Sequence, residues 1–205
     1  KLFKQGFSGK KISLYETELL CKDGKRIPIE LNVTSILNAE GNPIGRLGVA
    51  RDITERKQAE KALRESEKRL AQIVQGSSVP TFVIDNKHTI THWNKACENL
   101  TGIHAGEVIG TKKQWSAFYS IERPVMADLI IDELTDEEIA KYYEGACQKS
   151  VLIEEAYKAE AFFPKLGENG KWVFFTAAPL KDYHGKVIGA IETLQDITER
   201  KQTEE

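Results

Sequence analysis

The sequence predicts an α+β fold: an antiparallel five-stranded sheet with helices on one face, joined by a helical connector to three further strands. Three observations predict it. Alternating apolar runs of strand length occur in two separate groups. In the larger group the helical segments fall between the second and third strands, so helices gather on the sheet and do not interleave with it. Each group closes on nearly the same nine residues. Residues 52–60 read DITERKQAE and residues 196–204 read DITERKQTE, eight of nine positions matching at an offset of 144. Gly41, Ile44 and Gly45 fall on Gly185, Ile188 and Gly189 at that offset. A period this long is that of a whole small domain plus a connector, not of a solenoid repeat.

The first group spans residues 1–57. Tyr15, Thr17, Leu19 and Cys21 alternate, Lys22-Asp23-Gly24-Lys25 turns the chain, and Ile27, Ile29, Leu31 and Val33 alternate again. Asn38–Pro43 is a second turn, and a third strand runs into Asp52-Ile53-Thr54-Glu55. This three-strand meander has one apolar face that needs cover. Asp52 and Thr54, like Asp196 and Thr198, are residues that accept hydrogen bonds from the free N–H groups of a starting helix.

Residues 58–75 read as the helical connector. Residues 52–70 hold five acids and six bases, with Glu60–Arg64 and Glu65–Arg69 at helical spacing. Ala59, Leu63, Ser66, Leu70 and Ile73 follow a 4-3-4-3 spacing, so Leu63, Leu70 and Ile73 form a candidate dimer seam. The alternative is one amphipathic helix lying on its own domain.

The larger group spans residues 76–200, with 201–205 starting an exit helix. Strands are expected at Val79–Ile84 and Thr89–Trp93, around the turn Asp85–His88. Asn94 fits the N-cap of a helix Lys95–Leu100 that Gly102 ends. A helix is expected over residues 136–150. Strands Glu154–Phe163, Lys171–Leu180 and Lys186–Leu194 complete the sheet.

A net charge of −2 supplies no broad basic field for nucleic acid. No apolar run approaches the ~20 residues of a membrane span. The chain starts on Lys1 and reads as a fragment. Cys21, Cys97 and Cys147 have no CxxC spacing and read as reduced packing residues of a cytoplasmic protein. No nucleophile–base pair, metal cluster or Gly-rich phosphate loop stands out, so the fragment is not expected to be an enzyme.

The run Phe82-Val83-Ile84-Asp85, followed by Ile90-Thr91-His92-Trp93-Asn94-Lys95-Ala96-Cys97 and Glu98–Gly102, resembles the opening of the PAS sensory domain family. Glu107-Val108-Ile109-Gly110, Gly170-Lys171-Trp172-Val173 and Asp196-Ile197-Thr198-Glu199-Arg200 are similar to its later segments. Residues 1–57 resemble the last three strands of a preceding PAS domain. The resemblance implies a sensory and relay module of a bacterial or archaeal signalling protein of the sensor histidine kinase type. It would bind a small molecule or partner and transmit through the exit helix, with Asp52, Thr54, Asp196, Thr198 and Arg200 as relay residues. A homodimer and an output domain in the same chain are the implied partners. The alternative is a ligand-free dimerisation and interaction scaffold.

The family's photoactive flavin domains carry a GRNCRFLQ-like run where Gly110-Thr111-Lys112-Lys113-Gln114-Trp115 stands, so a photoadduct is rejected. Haem is disfavoured, because residues 136–150 offer Tyr142, Tyr143 and Cys147 but no His. His88 and His92 lack the further converging ligands of a metal site. Trp93, Trp115, Phe118, Tyr119, Tyr142, Phe163, Trp172 and Phe174 either line a pocket between helices and sheet or fill the core. Arg123 suits a ligand carboxylate or a surface salt bridge.

Overall fold

The computed structural model describes residues 12–143, 145–151 and 153–204. Residues 1–11 of the expected first domain, Glu144 of the expected helix 136–150 and Glu205 of the expected exit helix lie outside that range. The chain divides into two compact units, residues 1–68 and 69–205, and the boundary falls inside a helix.

The first unit is an antiparallel sheet of β1 (Ile12–Leu20), β2 (Arg26–Leu37) and β3 (Pro43–Asp52), in that order. The register places Thr17 opposite Ile29 and Leu31 opposite Ala50. Ile29 is buried, and its same-face neighbours Ile27, Leu31 and Val33 are half-buried. Leu47 and Val49, which point to the opposite face, are exposed. The β2–β3 turn has Gly41 at φ 82°, where a side chain would be strained, and Asn42 N–H donates to Asn38 Oδ1 at 2.8 Å. The same turn recurs 144 residues on, with Gly185 at φ 82° and Lys186 N–H donating to Asp182 Oδ1 at 3.0 Å.

Helix α1 (Thr54–Gly76) follows β3 and buries none of its side chains. Its ion pairs within the helix are Arg56–Glu60 and Lys61–Glu65, base before acid, instead of the two acid-before-base pairs expected. Leu63, Leu70 and Ile73 are all more than 60% exposed (63%, 62% and 63%).

The second unit contains β4 (Thr81–Asp85), β5 (Ile90–Trp93), α2 (Lys95–Thr101), α3 (Ala105–Val108), a 3-10 turn at Gln114–Ala117, α4 (Met126–Ile131) and α5 (Asp136–Tyr142). It continues with β6 (Gln148–Lys149), β7 (Tyr157–Phe163), β8 (Lys171–Lys181), β9 (Val187–Asp196) and α6 (Thr198–Glu204). The antiparallel sheet runs β5-β4-β9-β8-β7-β6, so the last strand enters beside the first and sits centrally. β4 can approach β9 this closely because Gly189 has no side chain; a Cβ there would meet the Ile84 carbonyl oxygen at 2.5 Å.

Three expectations are corrected. The helix expected over 136–150 ends at Tyr142, where Gly145 at φ 79° returns its N–H to the Ala140 carbonyl. The freed residues Gln148 and Lys149 pair with Lys158 and Tyr157, so the sheet has six strands among the described residues instead of five. The strand expected from Glu154 starts at Tyr157, because Glu155 adopts φ 59°.

Asn94 ties the entry of this unit together. Its Oδ1 accepts from Thr81 N–H at 3.0 Å and Cys97 N–H at 2.9 Å, capping α2 as the sequence predicts. Its Nδ2 donates to the Val79 carbonyl at 2.8 Å and the Val74 carbonyl at 3.2 Å, so it also holds the end of α1. The side chain is fully buried. Asn94→Ala orphans these groups and is expected to cost about 2–4 kcal/mol of unfolding free energy by urea denaturation.

Candidate functional site

β7, β8 and β9 present every second side chain to the helices. From β8 these are Val173, Phe175 and Ala177; from β9, Ala190, Glu192 and Leu194. A chain of aromatic rings crosses the interior, with centre-to-centre distances of 5.4 Å for Trp93–Phe82, 6.4 Å for Phe82–Phe118 and 5.3 Å for Phe118–Phe163. It continues at 5.9 Å for Phe163–Phe175 and 5.4 Å for Phe175–Tyr143. Tyr119 joins through Phe163 at 5.7 Å, and Trp115 packs partly buried against the same core.

The interior therefore gathers Trp93, Trp115, Phe118, Tyr119 and Phe163 from the expected set and excludes three others. Trp172 and Phe174 lie on the other face of β8, where Trp172 packs on Phe162 at 5.8 Å, and Phe175 takes the inner place. Tyr142 is 40% exposed while Tyr143 is buried. Among the described residues Arg123 meets no carboxylate. Its guanidinium lies 4.3 Å from the centre of the Tyr119 ring and donates to the Tyr142 carbonyl at 2.8 Å.

Polar groups unforeseen from the sequence sit among these rings. Glu192, 3% exposed, accepts from Ala127 N–H at 2.9 Å in the first turn of α4. Burial pushes its carboxyl up to about 8 despite that bond, and Asp128 adds to the shift. Asp128 is also buried; it accepts from Gln114 Nε2 at 2.7 Å and Val125 N–H at 3.0 Å, and meets His88 Nδ1 at 2.8 Å. Gln114 is 2% exposed and its Oε1 has no partner among the described residues. Burial also raises Tyr119, Tyr143 and Cys97. His92 contacts Thr91 instead of sharing a site with His88. Among the described residues no three His, Cys, Asp or Glu side chains converge as metal ligands.

The second feature is the joint where β9 becomes α6. Asp196 Oδ1 accepts from Thr198 N–H at 3.0 Å and Thr198 Oγ1–H at 2.6 Å. Thr198 Oγ1 accepts in turn from Trp172 N–H at 3.1 Å, and Ile197 N–H donates to the Trp172 carbonyl at 2.8 Å. Ile197 is buried. Arg200 and Lys201 reach Glu160 of β7 at 2.5 and 2.8 Å, and Lys171 pairs with Asp196 at 2.6 Å. Burial pushes the Asp196 carboxyl up, but the bonds from Lys171 and Thr198 outweigh it and leave it below the usual range. A cleft of about 390 Å³ beside the joint is lined by Phe162, Trp172, Thr198 and Lys201, which is where Trp172 belongs.

The β3–α1 joint repeats this position by position. Asp52 Oδ1 accepts from Thr54 N–H at 2.8 Å and Thr54 Oγ1–H at 2.6 Å, and buried Ile53 donates its N–H to the Pro28 carbonyl at 3.0 Å. Arg56 reaches Glu16 at 2.5 Å and Lys57 pairs with the same carboxylate. Pro28, Glu16, Arg56 and Lys57 stand 144 residues before Trp172, Glu160, Arg200 and Lys201. Two interactions are missing from the first copy, because Pro28 has no N–H for Thr54 and Ile27 stands where Lys171 pairs with Asp196.

The PAS domain model matches residues 1–55 and 78–199. The chain belongs to the PAS domain family. Two curated relatives are plant proteins. Phytochrome B of Arabidopsis thaliana is 24% identical over 135 residues, covering 64% of this chain and 10% of its own length. Phytochrome E of the same plant is 25% identical over 161 residues, 75% of this chain and 12% of its own length. The chain thus spans about a tenth of the curated relatives it matches. Similar solved structures include the PAS domain of Bordetella pertussis BvgS, with TM-score 0.44, 17% identity and coverage of 67% of this chain and 90% of that one. The PAS domain of an HTR-like protein from Haloarcula marismortui has TM-score 0.43, 20% identity and coverage of 69% and 99%. In this PAS chain the two aromatic neighbours on β8 differ in role. Phe175→Ala is expected to cost about 3–5 kcal/mol in chemical denaturation, and Phe174→Ala about 1 kcal/mol or less.

Proposed function

We propose that this PAS chain is the sensory and relay part of a larger signal-transduction protein. A small molecule or partner alters the helix–sheet interior of the second unit, and β9 carries the change into α6. The single observation behind this reading is that β9 bears both buried Glu192 and, four residues on, the joint residue Asp196. A change in how α4 meets Glu192 is thereby two pleat repeats along the same strand from the start of the exit helix. The ligand would act only through its unequal affinity for two arrangements of this interior.

The remaining parts of the proposal follow from the repeat. Residues 1–57 are the closing strands of a preceding PAS domain, α1 is the connector, and the chains pair in a cytoplasmic homodimer through Leu63, Leu70 and Ile73. The exit helix leads to an output domain of the histidine kinase type. Asp52, Thr54, Asp196, Thr198 and Arg200 are the relay residues.

A second reading, a ligand-free interaction scaffold, is favoured by the continuous ring packing from Trp93 to Tyr143. Native mass spectrometry and melting across a metabolite panel separate the two. The sensory reading expects a bound guest, or a ligand that raises the melting temperature by mass action; an empty interior and flat melting across the panel favour the scaffold. For the relay itself, Asp196→Ala in the protein that carries this chain is expected to uncouple stimulus from output. Regulation left intact by that substitution contradicts the relay role.

A further inference from the structure

We propose that Glu192 is a proton-operated latch that docks the first turn of α4 on β9, closed while its carboxyl is protonated and loosened when it ionises. For its consequence the inference rests on the relay reading above, but the latch is testable without it.

The geometry separates two neighbouring buried carboxyls. Asp128 is fully engaged: Gln114 Nε2, Val125 N–H and His88 Nδ1 all reach it, and His88 Nε2 meets exposed Asp132 at 3.2 Å. Both of its carboxyl oxygens are thereby occupied. Glu192, equally buried, has Ala127 N–H as its one described hydrogen-bond donor and no described salt-bridge partner. Among the described residues, the titratable groups in electrostatic contact with it include Cys97 of α2, Tyr119 of the loop before α4, Asp128 of α4 and Tyr143 after α5. None of these is a base. Arg123, the base beside the two tyrosines, is held by the Tyr119 ring and the Tyr142 carbonyl. An ionised Glu192 would thus place a negative charge beside the buried Asp128 carboxyl in an apolar interior, with one described N–H to meet it. Undocking α4 admits water to that charge.

The sign follows from linkage. The folded carboxyl titrates near 8 and an open one near the ordinary value of 4.5, so the docked state holds a proton that the open state releases. Docking is strongest in acid and weakens as pH rises towards 8.

Hydrogen–deuterium exchange of the whole chain at pH 6.5 and pH 9, corrected for intrinsic rates, reads the latch directly. Protection of residues 125–131 is expected to fall about thirtyfold between these pH values in the native chain. It is expected to stay constant in Glu192→Gln, which keeps an acceptor for Ala127 but cannot ionise. Unchanged protection in the native chain, or an equal fall in the Gln variant, overturns the proposal. If the Gln variant does not fold, the titration of the native Glu192 carboxyl by ¹³C NMR decides. A midpoint more than two units above an ordinary Glu supports the latch, and an ordinary midpoint overturns it. A fall confined to 125–131, with α6 unaffected at both pH values, upholds the latch and counts against the relay.

Discussion

One carboxylate oxygen determines where the sheet stops and the exit helix begins. Asp196 Oδ1 takes both the amide and the hydroxyl hydrogen of Thr198, which bends the chain out of β9 within two residues. With Ile197 sunk into the unit and its N–H on Trp172, the helix cannot slide along the strand without losing buried apolar surface and backbone bonds together. The Arg200 and Lys201 contacts to Glu160 are only partly buried, so they orient the helix more than they stabilise it. The same arrangement around Asp52 shows that the joint does not depend on the rest of its unit. It recurs where Pro28 stands in place of Trp172.

The joint was legible in the sequence because every part of it is local or repeated. Asp, Ile and Thr act on each other within three residues, and the recurrence at a fixed offset removes chance. The turn glycines Gly41 and Gly185 and the cap Asn94 were legible for the same reason. The interior was only half legible. Strand alternation says that one of Phe174 and Phe175 faces the helices, but two adjacent aromatics leave the phase open; pairing with β7 and β9 settles it. Tyr142 and Tyr143 pose the same ambiguity at the end of a helix whose length depended on Gly145. Glu192 and the His88–Asp128 contact could not be read at all. The latter joins residues 40 apart, and an acid in an otherwise alternating strand normally marks the solvent face.

These misreadings share a physical origin. Periodicity reports the faces of an element, whereas a buried acid is decided by what the neighbouring elements bring to it. Here α4 brings its first-turn N–H groups, which need acceptors, and two carboxyls from different parts of the chain supply them. The interior is thus an apolar ring stack with a polar seam along α4, and β9 belongs to both the seam and the joint.

Asp196 thus sets the direction in which the exit helix leaves the sheet. Double electron–electron resonance between spin labels at Lys158 of β7 and Gln202 of α6, in a background with all three cysteines (Cys21, Cys97 and Cys147) replaced by Ser or Ala, measures that direction as a distance distribution. A single narrow distribution that broadens on Asp196→Ala is the predicted result. An equally narrow and unshifted distribution in the variant would contradict the claim.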